Sequence, residues 1–159
     1  EKLGDRVIGS AARGEDAVAQ VLNDLPDLIL MDINLRGEMD GIEAADRIRT
    51  EVDLPIIFCT AYSNDETLAR AKVTVPYGYV LKPFDNRELE ITIEIALHKH
   101  EMELALKLAR VRLDATLRNL SDGVITVDSS GEILLANPMA SHLLGSDQAR
   151  LIGQSVHDV

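Results

Sequence analysis

The stretches DLILMD (27–32) and PIIFCT (55–60) decide the fold. Within them Leu28 to Met31 and Ile56 to Cys59 are apolar without alternation, as expected of strands covered on both faces of a parallel sheet. Working outward, RVIGSA (6–11) and YGYVLK (77–82) read as further strands. EDAVAQVLNDL (15–25), DGIEAADRIRTE (40–51) and NDETLARAK (64–72) carry helical spacing. Strand and helix thus alternate, which predicts an α/β fold with helices on both faces of the sheet. The first residue is Glu1, not Met, so the chain is expected to be a fragment.

Composition narrows the function classes. The 159 residues carry a net charge of −11 and only 3% aromatics, and the basic residues are not clustered, so neither nucleic acid nor an anionic membrane is an expected partner. Proteins are. The single cysteine, Cys59, forms no internal disulfide and no cysteine-rich zinc site, as suits a reducing compartment. No apolar run reaches the roughly 18 residues of a membrane span and no signal pattern opens the chain, so a cytoplasmic location is expected.

Three segments follow: 1–87, 88–120 and 121–159. From Asn86 to Leu120 there is neither Gly nor Pro, and Leu, Ala, Glu, Lys and Arg predominate, which predicts one long helix. Leu89, Ile93 and Leu97 suit docking on the sheet. Met102, Leu106, Ala109, Leu113, Thr116 and Leu120 repeat at the 4-3-4-3-4 spacing of a coiled-coil seam, and Leu104, Leu108, Val111 and Ala115 form a second stripe. Two uncovered stripes predict a homodimer through residues 88–120. After Asp122 two alternating segments, 124–128 and 132–136, flank a Ser-Ser-Gly turn as a hairpin. Asn137-Pro138 then opens a short helix.

Chemistry gathers where open α/β sheets place it, beyond the carboxyl ends of the strands. Asp32 ends LILMD, Thr60 ends PIIFCT and Lys82 ends YGYVLK. Singly each has an ordinary structural explanation: a helix cap, a β-forming residue, a solvated turn lysine. Together, a carboxylate that can attack phosphorus and two groups that can bind phosphoryl oxygens make a phosphoacceptor site.

The strings LILMDINL, PIIFCTAYSND and GYVLKPF, in this order and spacing, resemble the response-regulator receiver domain of two-component signalling. The resemblance implies a flavodoxin-like sheet of order 2-1-3-4-5, here without its first strand and helix. It also implies phosphorylation of Asp32 by a histidine kinase or phosphotransfer protein, with Thr60 and Lys82 gripping the phosphoryl group. Tyr79 matches the switch aromatic, Asn34 and Tyr62 match positions that tune phosphoryl lifetime, and Ala61 matches the small residue that leaves phosphorus accessible. The Lys82-Pro83 peptide is expected to be cis. Family members hold Mg²⁺ with the phosphoacceptor, here Asp32, the backbone carbonyl two residues on, here Asn34, and an acidic pair without counterpart in this chain. Mg²⁺ binding is therefore expected in the intact protein and weak or absent in these residues alone.

Residues 117–159 resemble the first part of a PAS domain, with its opening hairpin and the NPMASHLLG helix. The expected function is thus a phosphoacceptor module signalling through a helical connector to a PAS-containing output. The alternative is a hybrid sensor histidine kinase with catalytic domains beyond Val159. His98 and His100, before Glu101, lack the Pro of the commonest kinase His-Glu motif and read as residues flanking the seam. Two apart on a helix, they face apart. His142, His157 and Cys59 read as structural.

Overall fold

A computed structural model describes residues 5–61, 74 and 76–159. They divide into two compact units, 1–103 and 104–159, which share one long helix. The expected helix 64–72 and Tyr62 lie outside the described residues.

The first unit comprises α1 (Gly14–Asp24), β1 (Ile29–Asp32), α2 (Gly41–Glu51), β2 (Ile56–Ala61), β3 (Gly78–Lys82) and the start of α3 (Asn86–Asn119). The three strands are parallel in the order β1-β2-β3, with Ile29 opposite Ile56 and Ile57 opposite Gly78. The unbroken apolar run of β2 is explained by burial on both sides; that of β1, expected to be covered likewise, is buried on one side only. Ile29, Met31, Ile56 and Phe58 pack with Val21, Ala44, Ala45 and Ile48 of α1 and α2. The alternate residues Ile57 and Val80 pack with Ala96, Leu89 and Ile93 of α3. Side chains two apart share a face, so β2 and β3 feed both cores, whereas in β1 Leu30, between the buried Ile29 and Met31, is 44% exposed.

Helix ends are set locally. Asp40 caps α2 by accepting from the Glu43 N–H at 2.8 Å, while the Glu43 carboxylate accepts from the Asp40 N–H at 3.0 Å. Each bond satisfies an N–H the helix itself cannot. α3 docks through Leu89, Ile93 and Ala96, a 4-3 spacing that stays on one face; Leu97, expected on this face, is half-buried like Leu89 and Ile93 but does not join their core.

RVIGSA does not form a strand. Residues 5–11 are almost wholly exposed and no described strand pairs with them; the nearest bridge is isolated, between Arg13 and Arg36. A β-rich run becomes a strand only when a neighbour accepts its hydrogen bonds.

The second unit contains the remainder of α3, an antiparallel hairpin of β4 (Ile125–Val127) and β5 (Ile133–Ala136), α4 (Pro138–Leu144), α5 (Gln148–Leu151) and a 3₁₀ turn at Val156–Asp158. Ala136, Ala140 and Leu151, with Ile125 against them, form its core. Asn137 is 1% exposed and caps α4. Its Oδ1 accepts from the Val124 and Ala140 N–H groups at 2.8 and 2.9 Å. Its Nδ2 donates to the Leu117 and Asp122 carbonyls at 3.1 and 2.9 Å. One amide thus joins α3, the hairpin entry and α4 with its four hydrogen-bonding sites filled. Gly145 closes α4 at φ 63°, the left-handed conformation that glycine adopts freely.

Candidate functional site

Asp32 and Lys82 meet. Both stand at the carboxyl ends of their strands, on either side of β2, and the Lys82 ammonium donates to Asp32 Oδ2 at 2.5 Å. The register explains the reach. Asp32 is opposite Cys59 and Lys82 opposite Ala61, so by alternation both side chains share a face, and only the small Cys59 and Ala61 of β2 lie between them. The other carboxylate oxygen, Oδ1, accepts from the Asn34 N–H at 3.1 Å. Among the described residues each oxygen of Asp32 therefore has one donor, and about a third of the side chain stays open to solvent, 35%, beside 40% for Lys82.

Thr60 lies at the same end of the sheet but is turned otherwise. It is buried, and its hydroxyl donates to the Ala61 carbonyl at 2.8 Å. By alternation it shares a face with Phe58 and with Tyr79, which is opposite Phe58 in β3. The Tyr79 ring is 6.1 Å from that of Phe58 and packs against the α1–α2 side of the core. Its hydroxyl is buried with no hydrogen-bond partner among the described residues, and burial pushes the phenol up from its ordinary value. The site thus has two faces: an ion pair on one, a hydroxyl and an aromatic ring on the other.

Cys59 is buried beneath the ion pair. Burial pushes its thiol up, and the nearby Lys82 only partly opposes this. A thiol so placed is a poor nucleophile. Ala61, the last residue of β2, is exposed. The Lys82-Pro83 peptide is cis.

One contributor carried no sequence signal. Gly41, the first residue of α2, is buried and its N–H donates to the Ile33 carbonyl at 2.9 Å; a Cβ here would overlap the Asp32 carbonyl oxygen. Only glycine lets α2 start this close to the residue that carries the carboxylate. A glycine following a capping Asp is too common in sequences to reveal this.

The donor set for a cation is small. Mg²⁺ takes six ligands, mostly oxygens. Here Asp32 supplies one carboxylate, one of whose oxygens holds an ammonium. Among the described residues no group of three or more His, Cys, Asp or Glu is arranged to hold a metal. The described residues alone do not fit Mg²⁺. The described helices include none long and apolar enough to cross a membrane.

Comparison with known proteins is consistent along the chain. The family model for the response regulator receiver domain matches residues 1–94, and that for the PAS fold matches residues 112–159. The transcriptional regulatory protein PdtaR of Mycobacterium tuberculosis is 33% identical over 104 residues, 65% of this chain and 50% of that protein. The regulatory protein AtoC of Escherichia coli is 40% identical over 83 residues, 52% of this chain and 18% of its own. Among solved structures, the signal receiver domain of a modulated diguanylate cyclase from Desulfovibrio desulfuricans G20 matches with a TM-score of 0.61 at 42% identity, covering 64% of this chain and 81% of that one. The N-terminal domain of a response regulator/sensory box/GGDEF three-domain protein from Carboxydothermus hydrogenoformans matches with a TM-score of 0.54 at 37% identity, covering 59% and 76%. The matched region spans about half the length of PdtaR and less than a fifth of AtoC.

Proposed function

Because this chain belongs to the response regulator receiver domain family of two-component signalling, we propose that Asp32 is its phosphoacceptor. The observation that carries the reading is the ion pair of Lys82 with Asp32 at the carboxyl ends of two strands. A carboxylate oxygen of Asp32 attacks phosphorus of a phosphohistidine on a histidine kinase or phosphotransfer protein. The P–O bond forms as the P–N bond breaks, and the imidazole leaves with the electron pair and takes up a proton. The Lys82 ammonium follows the charge from the carboxylate to the phosphoryl oxygens, where it grows during transfer. Thr60 exchanges its bond to the Ala61 carbonyl for one to a phosphoryl oxygen, and Tyr79, on the same face, occupies the space this leaves. Ala61 leaves phosphorus open to the donor, while Asn34 and Tyr62 set how long the phosphoryl group survives.

Receiver domains generally bind Mg²⁺ at this site. Since the donors described here do not complete such a site, no step above passes through the metal. The 159 residues alone are accordingly a weak acceptor, and the complete protein, with Mg²⁺, a competent one.

The output side of the proposal rests on the PAS match and on the continuity of α3. Residues 88–120 pair with a second copy, and a change at the Tyr79 face alters that pairing and is passed to the PAS unit. The order of units parallels that named for the Carboxydothermus protein, a receiver followed by a sensory box. A cytoplasmic location fits this role. The test is labelling by a small phosphodonor in Mg²⁺: Asp32→Asn abolishes label in the complete protein, and Lys82→Ala slows its transfer. Efficient labelling of the isolated 159 residues would contradict the incomplete donor set.

A further inference from the structure

Outside this site, another polar cluster links β3 to α3. Tyr77 immediately precedes β3, and its ring packs with Leu89 and Ile93 against the core under α3. Its hydroxyl reaches the helix, lying 2.6 Å from Glu103 Oε2 and 3.0 Å from His100 Nδ1. The His100 ring stands edge-on to the Tyr77 ring, with centroids 5.4 Å apart and planes at 81°. Lys99 closes the group, its Nζ 5.1 Å from the Tyr77 ring centroid and 3.9 Å from Glu103 Oε1. The Tyr77 hydroxyl thus meets two side chains of α3 and its ring a third, 13 to 17 residues from the start of a helix that rises about 1.5 Å per residue.

We propose that the Tyr77 hydroxyl is a latch that holds residues 99–103 of α3 to the chain entering β3, so that the strand carrying Tyr79 and Lys82 cannot shift at that end without disturbing the helix. The roles are fixed by chemistry. A phenol has one proton to give and a carboxylate can only accept, so Tyr77 donates to Glu103. Its oxygen then accepts from His100, which must carry its proton on Nδ1. Burial, the bond to Glu103 and the charges of Glu103 and Asp53, partly opposed by Arg49, push the Tyr77 phenol far up, as expected of a proton held between these groups. The latch is independent of whether Asp32 accepts phosphate.

The tautomer supplies the test. Nitrogen NMR of the 159-residue chain, at a pH where His100 is neutral, should show the Nδ1–H form. Tyr77→Phe keeps the ring in its core but removes both bonds: the Nδ1–H signature should disappear, and amide exchange over residues 100–106 should quicken roughly tenfold while that of β2 is unchanged. Glu103→Gln, which can still accept, should preserve the signature. Glu103→Ala frees the phenol proton for His100 and should flip the ring to the Nε2–H form. An Nε2–H ring in the unaltered chain, or exchange and tautomer indifferent to Tyr77→Phe, would overturn the proposal.

Discussion

At the scale of single residues the site depends as much on what is missing as on what is present. Gly41 has no side chain where α2 begins against the Asp32 carbonyl, and the small Cys59 and Ala61 lie where Lys82 must reach across β2. Gly41→Ala should therefore destabilise the chain by about 2 kcal/mol, because the clash is with backbone that cannot turn aside. Thermal denaturation will show it as a lowered Tm, and an unchanged Tm would mean that α2 can withdraw at no cost. The strand-end positions of Asp32, Thr60 and Lys82 were legible because apolar runs mark where strands stop. Gly41 was not, because close approach of two backbones leaves no mark on composition. The direction of the Thr60 hydroxyl was equally out of reach: alternation gives the face of the sheet, and only coordinates show the bond to Ala61.

Elements follow the same logic at larger scale. α3 was legible from an uninterrupted run of helix formers, and the structure ends it at Asn119, one residue short of the expected limit. RVIGSA was misread because strand propensity is realised only beside a partner, and no described strand lies there. The hairpin and α4 were legible from alternation and from Asn-Pro, but the four-bond role of Asn137 was not, since three of its partners lie 13 to 20 residues away. Asn137→Ala should destabilise the second unit by about 3 kcal/mol, more than loss of a helix cap alone, because it strands buried N–H and carbonyl groups. Chemical denaturation followed by a probe in residues 121–159 will measure it; a loss no larger than about 1 kcal/mol would reduce Asn137 to an ordinary cap. The proposed pairing of α3 is tested at this scale too. Leu106 and Leu113 are 72% and 58% exposed in the single chain, far more than an apolar seam keeps once paired. Leu106→Lys with Leu113→Lys should convert a concentration-dependent dimer to a monomer in light scattering while leaving the helical signal of the receiver unit intact. A monomer before the change would remove the pairing from the account.

For the molecule as a whole, membership of the receiver family accounts for the parallel sheet, the strand-end site and the cis peptide beside Lys82. The PAS match accounts for the hairpin and short helices after α3. What joins the two matched regions is one helix, tied within the first unit by Tyr77 and within the second by Asn137. The account stands on Asp32 as the group that receives phosphate. The direct measurement is to expose the complete protein to a radiolabelled phosphohistidine donor with Mg²⁺ and map the label by mass spectrometry. Acid-stable, base-labile label should be found on the peptide containing Asp32 and be lost in Asp32→Asn; label of undiminished amount in that variant would contradict the account.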